Sequence, residues 1–500
     1  MNKDLTVGNP QKVLINFTIP MFISVIFQQL YNIADSVIAG KYAGESALAA
    51  VGASYPITMI FMAVALGCQI GCSVIISKYF GAGDYEKTKT CISTSLISGL
   101  ILSAVLTVAG IIFTTPMMNL VKTPEDIFED GSLYLKIYVG GFIFLFIYNV
   151  ATGIFNSLGD SKTPLILLIF SSVGNIFLDA LFVIKFSWGV AGVAWATFMA
   201  QGVSCIISVI ILIFRIKKLK TPKPAPIFSS KALKDILRVS IPSILQQSFV
   251  SVGNMFIQAI INSYGSSVIA GYSAAIKLNT FAITSFTTLG NGISSFTAQN
   301  LGAGKLERIK KGFRSGVIFA LSIALVFFIL YFFFGKAFLS LFMNEDSTQL
   351  AIDTGLDFMR ITSPFYFAIC AKLICDGILR GSESMNYFMA TTFTDLILRV
   401  ILAFIFSNFW GVMGVWIAWP ISWVIAAIMS VMFYCKDVWI RNPVKAATKV
   451  AEDVAEEVSE EISEQVAAEF KKVIAEKVKA EVTAEVAEEI AEDKIAEGSK

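Results

Sequence analysis

Two carboxylates stand where carboxylates are expensive. Asp35 and Asp179 each lie inside a long apolar stretch, and a charge held in hydrocarbon is costly enough that an intramembrane acid is a functional candidate by default. Asn175 precedes Asp179 by four residues and shares its helix face. At about 1.5 Å of rise per residue, both acids fall in the outer half of their segments. Thr197 and Tyr134 reach a comparable height on two others, so four segments bring oxygen-bearing side chains to one level. Asp35, Asn175, Asp179 and Thr197 suit a hard cation such as Na⁺, which prefers carboxylate, amide and hydroxyl oxygens. They suit equally a proton, which needs a desolvated carboxylate with a like charge beside it. Purely structural bonding between helices is the weaker reading, because no Lys or Arg shares those segments at that level.

Other polar residues in apolar stretches have other expected roles. Asp376 with Arg380, and Asp395 with Arg399, are spaced i, i+4 and are read as structural ion pairs that neutralise themselves. Gln29, Asn149, Gln246, Gln247 and Lys277 are candidates for lining a substrate cavity. Lys277 reads equally as a cavity charge or as a snorkelling group at a helix end. Pro20 and Pro242 occupy matching positions early in two segments and are expected to kink them. Cys68 and Cys72 are one turn apart, but the chain has seven cysteines and no histidine. A four-ligand zinc site is therefore not expected, and the cysteines read as small packing residues. No GxxxxGK[ST] phosphate loop is present, which excludes an ATP-driven pump made by this chain alone. No nucleophile–base pair marks a membrane-embedded enzyme, and no cofactor is expected beyond a coupling ion.

The elements that position these residues are membrane helices. Hydrophobic residues make up 55% of the 500 and charged residues only 15%, against about 25% charged in soluble domains. Mean hydropathy is +0.71. About twelve segments are expected, near 13–38, 47–77, 91–114, 132–157, 163–185, 190–215, 236–262, 267–296, 312–335, 355–379, 387–408 and 412–435. The N-terminal residues lack the pattern of a cleavable signal peptide. Lys and Arg concentrate in alternate loops, so the positive-inside rule places both termini in the cytoplasm. The sequence also repeats itself. "SVIAGKYAGESALAAVGAS" is answered by "QAIINSYGSSVIAGYSAA", "KYFGAGDYEK" by "QNLGAGKLER", and "WGVAGVAW" by "WGVMGVW". The reading is an all-α integral membrane protein of two six-helix bundles, 1–216 and 235–437, related by a parallel repeat. A basic, proline-rich linker, 217–234, joins them. Parallel repeats of this size are a signature of transporters whose halves rock about a site between them.

These features together resemble the multidrug and toxic compound extrusion (MATE) transporters over about residues 10–437. The resemblance rests on the duplicated bundle, the "IP" early in segments 1 and 7, the paired "GAG" loops, "GNIFLDALF", Asp35 fifteen residues after Pro20, and Thr197 following Asn175-x-x-x-Asp179. It implies two six-helix bundles in a V around a central cavity, with Asp35, Asn175, Asp179 and Thr197 forming an amino-terminal cation site beside Tyr134. One branch of the family also uses acids in segments 7 and 10 for sodium; segment 7 here offers only Gln246 and Gln247. The function implied is a monomeric secondary antiporter of the cell membrane. It would export amphiphilic, cationic small molecules in exchange for Na⁺ or H⁺, with the lipid bilayer as its other partner and no nucleic acid. A lipid-linked saccharide flippase of the same superfamily is the alternative. Such flippases line their cavity with several basic residues, and Lys277 is nearly alone.

The last stretch, 438–500, is a different material. From Pro443 it holds 16 acidic and 8 basic residues, a net of −8. Apolar residues recur every fourth position from Val450 to Ile490, and a four-residue step overshoots the 3.6-residue turn by about 40°. The stripe winds around any helix it forms, so a cytoplasmic appendage is expected, not a span or a coiled-coil seam.

Overall fold

The computed structural model describes residues 4–343 and 348–440; the reading of 441–500 as an acidic appendage lies outside them. The described residues form helices and no strand. The first half comprises α1 (Pro10–Ile38), α2 (Glu45–Gly81), α3 (Tyr85–Ile112), the short α4 (Thr114–Leu120), α5 (Glu125–Gly140), α6 (Phe142–Ser157), α7 (Lys162–Asp179), which a π-helical turn prolongs to Lys185, and α8 (Gly189–Lys217). The second half answers it with α9 (Ser230–Asn262), α10 (Ser266–Gly302), α11 (Leu306–Phe333), α12 (Gly335–Leu339), α13 (Gln349–Thr362), α14 (Tyr366–Gly381), α15 (Met385–Trp410) and α16 (Val412–Cys435).

Ten of these helices, counting α13–α14 as one, are long and apolar enough to cross a membrane. The α5–α6 pair, bent by 45° at Gly141, supplies an eleventh crossing. The twelfth is α10, which is as long as α2 but rich in Ser, Thr, Asn and Gly. It can be polar because it is shielded: between Ser285 and Asn300 nearly every residue is buried in protein. The Ser285 and Thr287 hydroxyls return to their own backbone, to Phe281 O at 2.8 Å and Ile283 O at 2.9 Å, which satisfies them without water. Segment 4 starts earlier than the sequence suggested. Pro124 precedes the first turn, and Glu125 and Asp126 favour the amino end of a helix dipole, so the acidic stretch is helix and not loop. Both α1 and α9 run on as unbroken helices through Pro20 and Pro242.

The repeat is visible in the packing. Gly44 and Gly265, at matching places before α2 and α10, hold φ of 98° and 93°, a region that L side chains rarely enter. The close helix contacts recur as well. Gly153 of α6 presses on the Gln69 carbonyl of α2, and its counterpart Gly377 of α14 presses on the Gly290 carbonyl of α10. Between the halves the correspondence becomes reciprocal. Gly71 meets Ser240 while Gly292 meets Thr18, and Gly81 meets the Gln299 carbonyl while Gly302 meets the Lys78 carbonyl. Each pair is one contact seen from the two sides of a pseudo-twofold axis. Both pairs lie toward the basic end of the molecule, where the Lys- and Arg-bearing turns after α2 and α10 sit. There Lys78 Nζ also bonds Glu383 Oε1 at 2.7 Å, and the Ser73 and Ser295 hydroxyls are 3.1 Å apart.

Candidate functional site

Helices α1, α5, α7 and α8 of the first half bring Asp35, Tyr134, Asn175, Asp179 and Thr197 into one cluster. Packing fixes the heights. Tyr134 lies on the third turn of α5, against Ala43, Ala47, Ala50, Ile127 and Val190, which come from around α2, α5 and α8. It also packs with Val183 and Val193, which join the π-turn after α7 to α8. Asn175 Nδ2 donates to Thr197 Oγ1 at 3.5 Å, linking α7 to α8. Asp179 is fully buried and Asn175 nearly so; Asp35 is half-buried on the neighbouring face of α1.

The oxygens of this cluster lack donors. Asp35 Oδ1, both carboxylate oxygens of Asp179 and Asn175 Oδ1 are buried without a hydrogen bond. Asp35 and Asp179 are near enough for their charges to repel when both are ionised. A buried carboxylate with neither partner nor proton is strongly disfavoured. The cluster is therefore chemically incomplete and can be completed in two ways, by protonation or by a cation that accepts four or five oxygens.

Tyr31 is a member of the cluster that the sequence reading missed. It lies one turn before Asp35 on α1 and within interaction range of Asp35, Asp179, Tyr134 and the Thr197 hydroxyl. The i, i+4 spacing to Asp35 was the available signal. Tyr138 extends the aromatic wall, its ring stacked on Tyr134 at 6.2 Å.

The expected cavity residues lie apart from this cluster. Gln29 is half-buried and accepts from Asn32 at 3.3 Å. Asn149 spends its amide on the Leu145 carbonyl of its own helix at 2.8 Å. Gln246 is buried with Oε1 unbonded, and Gln247 is half-buried. Lys277 is exposed, with Nζ 5.7 Å from the Phe342 ring centroid.

The ion pairs of the second half need one correction. Asp395 and Arg399 are bonded at 2.7 Å, and the guanidinium lies 4.3 Å from the Trp419 ring centroid. Asp376, however, is bonded to Lys372 at 2.8 Å and not to Arg380. Thr391 and Ser430 hydroxyls donate to its other oxygen at 3.0 and 2.9 Å. Lys372 and Arg380 are both one turn from Asp376, so sequence spacing cannot choose between them. The shorter ammonium took the carboxylate, and Arg380 stacks over the Phe388 ring at 5.3 Å.

A duplicated bundle of about twelve membrane helices, with a donor-poor acidic cluster in one half, defines a membrane transporter. The sequence matches the MatE family twice, over residues 20–181 and again over 242–405, and the chain belongs to that family of multidrug efflux transporters. It is 28% identical over 438 residues to the probable multidrug resistance protein YpnP of Bacillus subtilis (strain 168), covering 87% of this chain and 97% of that one. It is 24% identical over 445 residues to the FAD transporter of Shewanella oneidensis, covering 87% and 96%. Its fold superposes on an outward-facing multidrug resistance MATE transporter of the MOP superfamily with a TM-score of 0.81, at 25% identity over 90% of this chain and 99% of that one.

Proposed function

We propose that the chain is a secondary antiporter that couples export of amphiphilic organic cations to inward movement of Na⁺ or H⁺ bound by Asp35 and Asp179. The observation that carries this reading is the set of buried, unbonded oxygens on Asp35, Asn175 and Asp179. A site that is electrostatically incomplete when empty binds its ion with a large differential free energy, and only differential binding can bias one conformation over another. Thr197 contributes a neutral oxygen to the same ion, and Tyr31 and Tyr134 stand beside it. Reconstitution with both termini on the inner face, and substrate efflux driven by Na⁺ and pH gradients imposed separately, tests the proposal. Export under at least one gradient is expected. Equal export with neither gradient overturns it.

A second reading is favoured by the second half of the chain, where among the described residues Lys372, Arg380 and Arg399 are buried against only two buried carboxylates, Asp376 and Asp395. That excess of cations suits an organic anion, in keeping with the relative named for FAD transport. Competition between a cationic dye and a dinucleotide in the same efflux assay separates the two.

A further inference from the structure

Residues 4–8, which precede α1, are held by the opposite half of the molecule. Leu5 is only 1% exposed. Its N–H donates to Gln299 Oε1 at 2.9 Å, and its carbonyl accepts from Arg308 Nη2 at 3.0 Å and Asn300 Nδ2 at 3.4 Å. Lys305 Nζ donates to the Thr6 carbonyl at 3.0 Å, and Arg308 Nη1 donates to that of Gly8. All these partners come from α10, α11 and the turn between them. Gln299 also faces the other way: its Nε2 donates to the Ser157 carbonyl, at the end of α6, at 2.6 Å. It is fully buried, and its own carbonyl is the one against which Gly81 of α2 packs. One amide thus ties the segment before α1, α6 of the first half and the reciprocal α2–α10 crossing together.

We propose that residues 4–8 are a detachable latch on the basic-end gate, with Gln299 as its catch. Parting the halves at that end must break the Gln299–Ser157 bond and lift α10 from α2. The buried Leu5 and its side-chain-held backbone oppose this for as long as they stay seated. Residues 4–8 lie outside α1 and can leave while Asn9, whose side chain accepts from Gln11 N and Lys12 N and whose carbonyl accepts from Val13 N, stays behind to cap the helix. Each of its bonds is modest in net terms, which makes the latch separable on the time scale of a transport cycle. Its counterpart before α9 is built differently. There Ser229 N donates to Thr94 Oγ1 at 3.1 Å, and Ile227, the counterpart of Leu5, is 73% exposed. A symmetric scaffold therefore carries a one-sided lock.

The latch regulates the transport cycle proposed above and rests on that reading, so its test reads the gate without transport. Hydrogen exchange on the full chain in lipid nanodiscs is compared for the unmodified protein, Gln299→Ala and Leu5→Asp. The second variant leaves every helix intact and only expels the side chain from its slot. Exchange on the order of tenfold faster is expected in peptides spanning 72–83 and 292–303, from the loss of two buried bonds, with 125–140 at the opposite end unchanged. Unchanged exchange at the basic end in Leu5→Asp overturns the latch, and so does an acceleration shared equally by 125–140. If the exchange responds as expected but gradients drive no efflux, the latch stands and the antiport reading fails.

Discussion

At Asp179 the two oxygens have no donor, and at Asp35 one has none, so what each side chain supplies is its charge. Asn matches Asp in shape but cannot bind a proton or balance a cation. Asp35→Asn and Asp179→Asn are each expected to abolish gradient-driven efflux while leaving the protein inserted, as measured by vesicle flux beside membrane yield. Normal flux in both variants would remove them from the mechanism. Asn175→Ala and Thr197→Ala each delete one neutral oxygen, of about 0.5–1.5 kcal/mol. They should raise the half-saturating ion concentration by roughly two- to tenfold without ending transport. The buried pairs of the second half respond in the opposite sense. Asp395→Asn strands Arg399 and should cost about 3–5 kcal/mol of stability, seen as a lowered melting temperature in detergent. Adding Arg399→Gln should recover much of it. Lys372→Met should also be harmful, because Asp376 then loses its one bonded cation and keeps only two hydroxyl donors.

Among the elements, α2 and α10 carry the tightest contacts, and these contacts are made by absent side chains. A Cβ at Gly81 or Gly302 would overlap a backbone carbonyl of the partner helix, whereas one at Gly140 meets nothing within 4 Å. Gly81→Val and Gly302→Val should therefore each destabilise by about 1–3 kcal/mol, equally because the contacts are equivalent, and both should slow efflux. Gly140→Ala should be silent in the same thermal and flux assays. Much of this architecture was legible in the sequence: the apolar runs, the internal echo, and the level shared by Asp35, Tyr134, Asn175, Asp179 and Thr197 all follow from periodicity and spacing. Three features were not. The break at Gly141 lies in an apolar run that reads as one span, because a bend of 45° changes no residue type. The partner of Asp376 was ambiguous between two cations at equal spacing. Tyr31 carries no charge to mark it in an apolar run, and only its proximity to two acids gives it a role.

For the molecule as a whole, the described helices close their packing by Trp439, which is buried and stacks on Tyr434 at a centroid distance of 5.9 Å. Truncation after Asn442 is expected to leave insertion and coupled efflux near normal, measured as flux per inserted molecule. A truncated protein that inserts but does not export would assign the acidic stretch a role in gating. The height of the acidic cluster has an electrical consequence. Thr197 is eight residues into α8 and Tyr134 nine into α5, so the cluster lies about 12–14 Å from the helix ends remote from the basic turns. An ion entering from that side crosses less than half of a hydrocarbon layer of about 30 Å before it is bound. In the orientation that the positive-inside rule predicts, binding from outside would sense a minor fraction of the membrane voltage, and the remainder would act on the release of the ion inward. At about 2.3 kcal/mol per charge for each 100 mV, a resting potential would then act chiefly as a pull on discharge of the ion and only weakly on its capture.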